Sequence, residues 1–395
     1  MFRGRTKQVR NKQFYENEKV ERPKNTSKTK HNFKPNDAFI DKLNDKRKRK
    51  NVPNIVVNSI KKRLNNLPKN TFKKKELDKK YFWDGNDNMG KLPCVNIDLP
   101  IIEVEAVPSK TAYKFDWRNN YRPKWETVRK SCIIVDSKTK RILNVFVYSR
   151  DDPNISKVLF EVDKLVEGMD KYLKEKSHQF YSGFGSKKLN DGTQEKLEHR
   201  VRYIGKNWLE GLQRYLDGSL GENVISYYPR KVEANNDNDY LERLLWLFCG
   251  LYELEKRHTP ATANYRLQLA KKADYLGCFT PNCPIELNPS TSMGGSINFA
   301  SDTHDDSSVK GTTEAIIWRP KKGKPYLFAN SVAKLYFDIS EDCILYQVGT
   351  DAHSTINTGE NEGVGFVNLS KKILLYDTPI TKNWFNAWRN WFKKN

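Results

Sequence analysis

Apolar residues recur along this chain with several rhythms, and the changes of rhythm divide it. Through residues 1–52 there is almost no hydrophobic period. Ile55–Leu67 predicts a short helix, and residues 68–80 are basic again. From Tyr81 onward Trp83, Leu92, Val95, Ile97, Leu99 and Ile101 announce a folded body, with the alternation at 95, 97 and 99 predicting a strand. Cys132–Val135 and Ile142–Tyr148 are apolar runs joined by a polar hexapeptide, which predicts a β-hairpin. Spacings of three and four then predict helices. One runs through Ile155, Val158, Leu159, Val162, Leu165, Val166, Met169 and Leu173. A second runs through Leu197, Val201, Ile204, Trp208, Leu212 and Tyr215, and a third through Leu241, Leu244, Leu245, Phe248, Leu251 and Leu254. Thr259-Pro260 opens a fourth as N-cap and first residue, and Gly277 stops it. These stripes are read as core.

After residue 285 the pattern becomes short strands, at Ser296–Ala300, Thr313–Trp318, Tyr326–Phe328, Ala333–Asp338, Cys343–Gly349 and Val364–Tyr376, with Gly, Asn, Asp or Ser turns between them. Many short strands in so short a stretch predict a barrel or jelly roll. Trp384, Phe385, Trp388, Trp391 and Phe392 share one side of a C-terminal helix, a docking face for the body or for a protein partner. The fold class is therefore α+β. A basic, mostly disordered arm (1–80) precedes a hairpin-containing part (81–150), a helical region (151–285), a jelly-roll-like core (286–378) and an amphipathic aromatic helix (379–395).

Charge sharpens the division. Residues 1–80 hold 26 Lys/Arg against 8 Asp/Glu, a net of +18 in a chain of net +22. An arm of that kind neutralises phosphates and releases counterions, which points to DNA or RNA as partner; a solubilising tail or a contact to acidic protein is the plainer alternative. The residues expected to touch phosphate are Arg3, Arg5, Lys46, Arg47, Lys48, Arg49, Lys50, Lys61, Lys62, Arg63, Lys73, Lys74 and Lys75. The block Lys46–Lys50 also fits recognition by a nuclear import receptor. Six cysteines without disulfide spacing, and no apolar leader, lead us to expect a reducing intracellular compartment, with nucleus or virion both compatible. Cys278 and Cys283 are too isolated for a zinc site. No apolar run is long enough to span a membrane.

Chemistry narrows to the histidines, of which there are six. His31 lies in the arm, and His178, His199 and His258 sit among polar residues and read as surface groups. His304-Asp305-Asp306 contains His-x-Asp at the exit of a predicted strand, where residues i and i+2 point to the same side. His353 follows 49 residues later, after the strand Cys343–Gly349. Two histidines and one carboxylate on one face of a metal form the triad of non-haem Fe(II) oxygenases. Two solvent-exposed turn histidines are the plainer reading.

The stretch Gly294–Thr355 resembles the double-stranded β-helix core of the 2-oxoglutarate/Fe(II) dioxygenases, most closely the branch with the thymine hydroxylases of base J synthesis and the TET 5-methylcytosine oxygenases. The likeness rests on Ser296-Ile297-Asn298-Phe299 before His304-x-Asp306, on Glu314-Ala315-Ile316-Ile317-Trp318, Leu327-Phe328 and Leu335-Tyr336-Phe337, and on Asp342-Cys343-Ile344-Leu345-Tyr346 leading to His353-Ser354-Thr355. Upstream, Ile133–Asp136 and Ile142–Phe146 resemble the preceding hairpin. The resemblance implies Fe(II) on His304, Asp306 and His353, 2-oxoglutarate as co-substrate, and hydroxylation of a nucleobase methyl group. It also implies a basic residue, usually Arg, early in the last core strand. Here that place reads Asn361-Glu362-Gly363-Val364-Gly365-Phe366, with Lys371 and Lys372 as later substitutes for binding 2-oxoglutarate. A fold kept for binding nucleic acid without catalysis is the competing expectation, as a capsid or virion component or a ribosome or chromatin scaffold.

Overall fold

The computed structural model describes residues 53–84, 92–116, 121–173, 186–188, 194–196, 203–217, 222–228, 237–273, 283–290, 292–306 and 313–370. The helices are α1 (Asn54–Asn65), α2 (Asn154–Val158), α3 (Val162–Leu173), α4 (Asn238–His258) and α5 (Pro260–Ala273). The first eight strands are β1 (Ile101–Val104), β2 (Glu126–Val128), β3 (Cys132–Asp136), β4 (Ile142–Tyr148), β5 (Ser186–Lys188), β6 (Gln194–Lys196), β7 (Tyr203–Asp217) and β8 (Glu222–Tyr228). The rest are β9 (Ser292–Ser301), β10 (Thr313–Pro320), β11 (Leu327–Asn330), β12 (Leu335–Asp338), β13 (Cys343–Val348), β14 (His353–Ile356) and β15 (Gly363–Leu369). The protein is mixed α+β. A nine-stranded sheet runs β1-β3-β4-β13-β10-β15-β9-β7-β8, a four-stranded sheet runs β14-β11-β12-β2, and β5 pairs with β6.

The central strands are apolar on both faces because each face has its own cover. Every residue of β3 and β4 is buried. Ile133, Val135, Val145 and Val147 join Ala315, Ile317, Ile344 and Tyr346 in a core shared with α1, α2, α3 and α4. The alternate residues Cys132, Ile134, Phe146, Ile316, Trp318 and Leu345 pack against Phe328, Leu335 and Phe337 of the four-stranded sheet. Near-continuous burial is what a strand between two layers requires. Helix α4 carries its own start signal, since the Asp237 carboxylate accepts from the Tyr240 N–H at 3.0 Å.

The hairpin of β3 and β4 forms as expected, with a register shift at Ile134/Val135. Three expectations need correction. The body begins by Pro53, not Tyr81: Val56, Val57, Ile60 and Leu64 of α1, with Leu67, are buried in the helix-side core. Val95 and Ile97 are buried as their alternation suggests, yet among the described residues the first regular strand of that region is Ile101–Val104, preceded by isolated bridges from Glu76 to Asn96 and from Phe82 to Arg141. The helix expected through Ile204, Trp208, Leu212 and Tyr215 is instead the fifteen-residue strand β7, paired with β8 and β9. Spacings of four put residues on one face of a helix and equally on one face of a strand, so 204, 208 and 212 fit both. Gly205 and Gly211 tip the choice: each costs a helix roughly 1 kcal/mol, and Gly205 takes φ +94°. The strand His353–Ile356 was not anticipated.

Candidate metal centre

Strand β9 leaves the nine-stranded sheet at Ser301, and three residues on His304 meets His353, the first residue of β14 in the other sheet. His304 N–H donates to the His353 carbonyl and His353 N–H donates back to the His304 carbonyl, both at 3.0 Å. Asp306 N–H then donates to the Gly349 carbonyl at 2.7 Å, which holds the extended segment against the end of β13. This crossover brings together residues that are 49 apart in sequence.

The side chains converge. One ligand atom from each of His304, Asp306 and His353 lies within 4.8 Å of the others. The imidazole centroids are 4.4 Å apart, and His353 Nε2 is 3.7 Å from Asp306 Oδ2. Each histidine Nδ1 sits beside a backbone carbonyl two residues earlier, Asp302 at 2.9 Å and Asp351 at 2.7 Å. A carbonyl only accepts, so both Nδ1 atoms carry a hydrogen, and Nε2 is the ring atom each histidine has to offer a metal. Phe328 stacks on His353 at 5.5 Å and fixes the ring plane. Burial, then the neighbouring His304, lowers the His353 pKa to about 4, so this imidazole is neutral at physiological pH. His304 and Asp306 are partly exposed while His353 is buried, so the trio faces outward on one side. Two imidazole nitrogens and one carboxylate suit a first-row divalent metal such as Fe(II).

The remaining expected residues are distributed differently. Lys61, Lys62 and Lys74 are exposed on the body. Lys73 and Lys75 pair with Asp98 at 2.8 and 3.3 Å. Arg63 is committed to the fold: it pairs with Glu161 at 2.7 Å and Glu242 at 3.4 Å, and its guanidinium lies 4.1 Å over Trp246. Arg3, Arg5, Lys46, Arg47, Lys48, Arg49, Lys50, Lys371, Lys372 and the C-terminal helix lie outside the described residues, as do His31, His178, His199, Cys278 and Gly277. His258, expected at the surface, is fully buried. Its Nδ1 is 2.9 Å from the Tyr346 hydroxyl and its Nε2 is 2.8 Å from Asp152. The polar residues around it in sequence are the last turn of α4, whose opposite face is solvated.

Sequence reasoning missed the polar wall of the centre. Glu314 on β10, Gln347 on β13 and Asn144 on β4 are buried to within one per cent. Burial pushes the Glu314 carboxyl well above the usual range, and the negative charge of Asp306 pushes it further. The signal was present as a single polar residue interrupting each apolar run: Ile-Leu-Asn-Val-Phe, Thr-Glu-Ala-Ile-Ile and Leu-Tyr-Gln-Val.

The residues fit a divalent metal. They do not fit 2-oxoglutarate equally well, because its far carboxylate wants a cation. Among the described residues, Arg266 is buried and committed to Glu255 at 3.0 Å, and Arg141 is committed to Asp351 at 3.0 Å. No family model and no curated protein matches the chain. Among solved structures, "NgTET1 in complex with 5mC DNA" aligns with a TM-score of 0.40 and 11% identity, over 70% of this chain and 83% of that one. At that score and identity it assigns no residue a role.

Proposed function

We propose that the protein is a non-haem Fe(II) oxygenase on a double-stranded β-helix, and that it oxidises a nucleobase, hydroxylating a methyl group, while its basic N-terminal segment holds the polymer. The observation that carries the reading is the triad His304, Asp306 and His353, with both imidazoles turned to present Nε2. Strand order supports it. From β9 to β15 the chain passes from the larger sheet to the bridge at His304, back to β10, across to β11 and β12, back to β13, across to β14 and back to β15. That alternation winds two sheets from one chain, and it sets the triad at the seam where they meet.

Iron bound there would supply O₂ activation for C–H hydroxylation, in which one oxygen atom enters the methyl group and a two-electron co-substrate such as 2-oxoglutarate takes up the other. This chain's residues would do the rest. His304, Asp306 and His353 hold the metal, and the Asp302 and Asp351 carbonyls fix the tautomers. Phe328 and the apolar layer of Ile316, Trp318 and Leu345 beneath it exclude water from the inner side. A base inside a duplex would have to be flipped out to reach the centre.

The test is an anaerobic Fe(II) titration followed by aerobic incubation, with 2-oxoglutarate or ascorbate as the two-electron donor, with DNA and RNA oligonucleotides carrying 5-methylpyrimidines, read by mass spectrometry of the nucleosides. One tight Fe(II) site, lost in His304→Ala, and a 16 Da gain on the base support the reading. Fe(II) binding without oxidation of any base removes the substrate assignment. Absence of Fe(II) binding leaves a nucleic-acid-binding scaffold.

A further inference from the structure

The chain between β1 and β2, described at residues 105–116 and 121–125, runs as a strap past the metal centre. Ala352 N–H donates to the Ser109 hydroxyl at 3.2 Å, and that hydroxyl donates to the Thr350 carbonyl at 3.1 Å. Thr303 N–H donates to the Phe115 carbonyl at 3.1 Å, and Phe115 N–H donates to the Thr303 hydroxyl at 2.6 Å. Ala352 and Thr303 are the residues immediately before His353 and His304. Farther along, Arg122 Nη2 donates to the Asn357 carbonyl at 2.6 Å, just past β14, and the Tyr336 hydroxyl donates to the Pro123 carbonyl at 3.1 Å. The strap is thus fastened to both segments that carry the histidines.

Aromatic rings lie along it in order of increasing exposure. Phe115 is buried with Ala329, Tyr336 and Ile356, on the face of the four-stranded sheet turned away from the larger one. Tyr113 and Trp125 pack on Phe115 at 4.8 and 5.3 Å and are half-buried. Tyr121, 6.2 Å from Tyr113, is 63% exposed. Covering the sheet explains the inner rings. It does not explain a tyrosine held at the outside, next to the anchored Arg122 and Pro123.

Charge supplies the second observation. Residues 106–125 hold five aromatic residues and five Lys/Arg against one acid, a net of +4. Residues 81–395 as a whole carry no more than that, +4 of the chain's +22. Elsewhere on the body surface lysines rest on carboxylates, as Lys138 does on Glu105, Lys140 on Glu103 and Lys321 on Glu362. Among the described residues Lys110, Lys114, Arg122 and Lys124 pair with none. Arg122 donates to a neutral carbonyl and keeps its charge. An exposed ring offers a base a stacking partner, and cations beside it offer the phosphates a counter-charge. A single strand uses both, because its bases are open on their faces. An acidic protein surface would use the cations and leave the ring idle.

We propose that the strap is a docking surface for single-stranded nucleic acid at the rim of the metal centre, with a base stacked on Tyr121 and phosphates of the same strand on Lys114, Arg122 and Lys124. The inference rests on the nucleic-acid part of the reading above and deepens it: the body holds the polymer beside the histidines, in addition to the basic N-terminal segment.

The probes are a fluorescein-labelled oligothymidylate and an abasic strand of the same length, which keeps the phosphates and lacks the bases. Binding of each to the full chain, without Fe(II), is followed by anisotropy over a salt series. The wild type is expected to prefer oligothymidylate by about five-fold or more, the scale of one base stacked on an aromatic ring. Tyr121→Ala should bring the two strands within about two-fold of each other, and Tyr121→Phe, which keeps the ring, should retain the preference. Lys114→Gln combined with Lys124→Gln should weaken both strands and lower the slope of log K against log salt by about 1.4, the share of two phosphates on a single strand. Equal wild-type affinity for the two strands overturns the proposal, because only phosphates are then held. A preference that survives Tyr121→Ala overturns it too, as does a salt slope that the lysine pair does not move. If neither strand binds, the nucleic-acid reading fails and the inference falls with it, an outcome told apart because the wild-type anisotropy never rises. Since Fe(II) is absent throughout, failure of base oxidation and failure of this inference are separate results.

Discussion

Arg266→Met tests how the helical layer is tied to the sheet that bears the centre. Arg266 is 1% exposed and Glu255 is fully buried. The guanidinium donates Nε to Glu255 Oε2 at 3.0 Å and Nη2 to Glu255 Oε1 at 3.2 Å. It also donates Nη1 to the Ser370 hydroxyl and Nη2 to the Thr313 carbonyl. One side chain on α5 thus links α4, the first residue of β10 and the residue following β15. Methionine keeps most of the volume and none of the donors. Glu255 would retain only the weaker donors of Thr262 at 3.2 Å and Thr313 at 3.4 Å. Removing one partner of a buried ion pair leaves an uncompensated charge, at a cost of about 3–5 kcal/mol. The orphaned Thr313 carbonyl lies within the upper part of that range.

The magnitude has a built-in control. The pair's Coulomb attraction is largely offset by its desolvation, so replacing both members with apolar residues restores much of the loss. Glu255→Leu combined with Arg266→Met should therefore be more stable than either single variant. Urea unfolding followed by tryptophan fluorescence gives the comparison, with m-values checked for constancy. A single-variant cost below about 1 kcal/mol, the range of exposed ion pairs, would refute the argument. So would a double variant whose loss equals the sum of the singles, since contacting residues should couple.

His353→Ala should abolish tight Fe(II) or Co(II) binding while the far-UV circular dichroism is unchanged, measured by anaerobic titration. The metal-free protein should lose stability as pH falls from about 6.5 toward 4, because unfolded histidine takes up a proton near 6.5 whereas buried His353 resists protonation down to about 4; urea midpoints across that window should flatten in His353→Gln. His258→Ala leaves the Tyr346 hydroxyl and Asp152 without their shared partner in the helix-side core and should cost about 2–4 kcal/mol by urea unfolding. Deleting residues 1–52 should weaken binding to an oligonucleotide and flatten the dependence of log K on log salt, measured by fluorescence anisotropy at several ionic strengths; an unchanged slope would place the phosphate contacts on the body instead.

What could be read from the chain depended on whether a pattern had one structural meaning. The hairpin of β3 and β4 was legible because two short, β-branched runs flanking a polar turn have few other solutions. The long stripe of α4 was legible because a period of three and four sustained from Leu241 to Leu254 fits no strand. β7 was not, since its spacings of four satisfy both periods and its partner β9 lies some eighty residues away in sequence, where no local signal reaches. The burial of α1 was masked by charge. Lys61 and Lys62 are solvated while Val56, Val57, Ile60 and Leu64 face the core, so a basic stretch and a packing helix are the same residues. His258 failed for a related reason, a polar last turn with one buried face.

The centre itself was legible only in its ends. His304-x-Asp306 shows its common side in sequence, because an extended chain alternates. His353 could be matched to it by type and by its place after a strand, but nothing local fixes the distance between them. That distance is set by a crossover: β9 must leave one sheet and β14 must lie in the other for reciprocal backbone hydrogen bonds to form at His304 and His353. The polar wall follows from the same geometry. Once β4, β13 and β10 are in register, the interruptions at Asn144, Gln347 and Glu314 fall in one row, on the face turned toward the four-stranded sheet. A lone Asn, Gln or Glu inside an apolar strand is a folding cost wherever it falls singly. Aligned, they make one polar row, with Gln347 Nε2 donating to Glu314 Oε2 and Asn330 Nδ2 donating to Asn144 Oδ1, so each offsets part of its neighbour's cost.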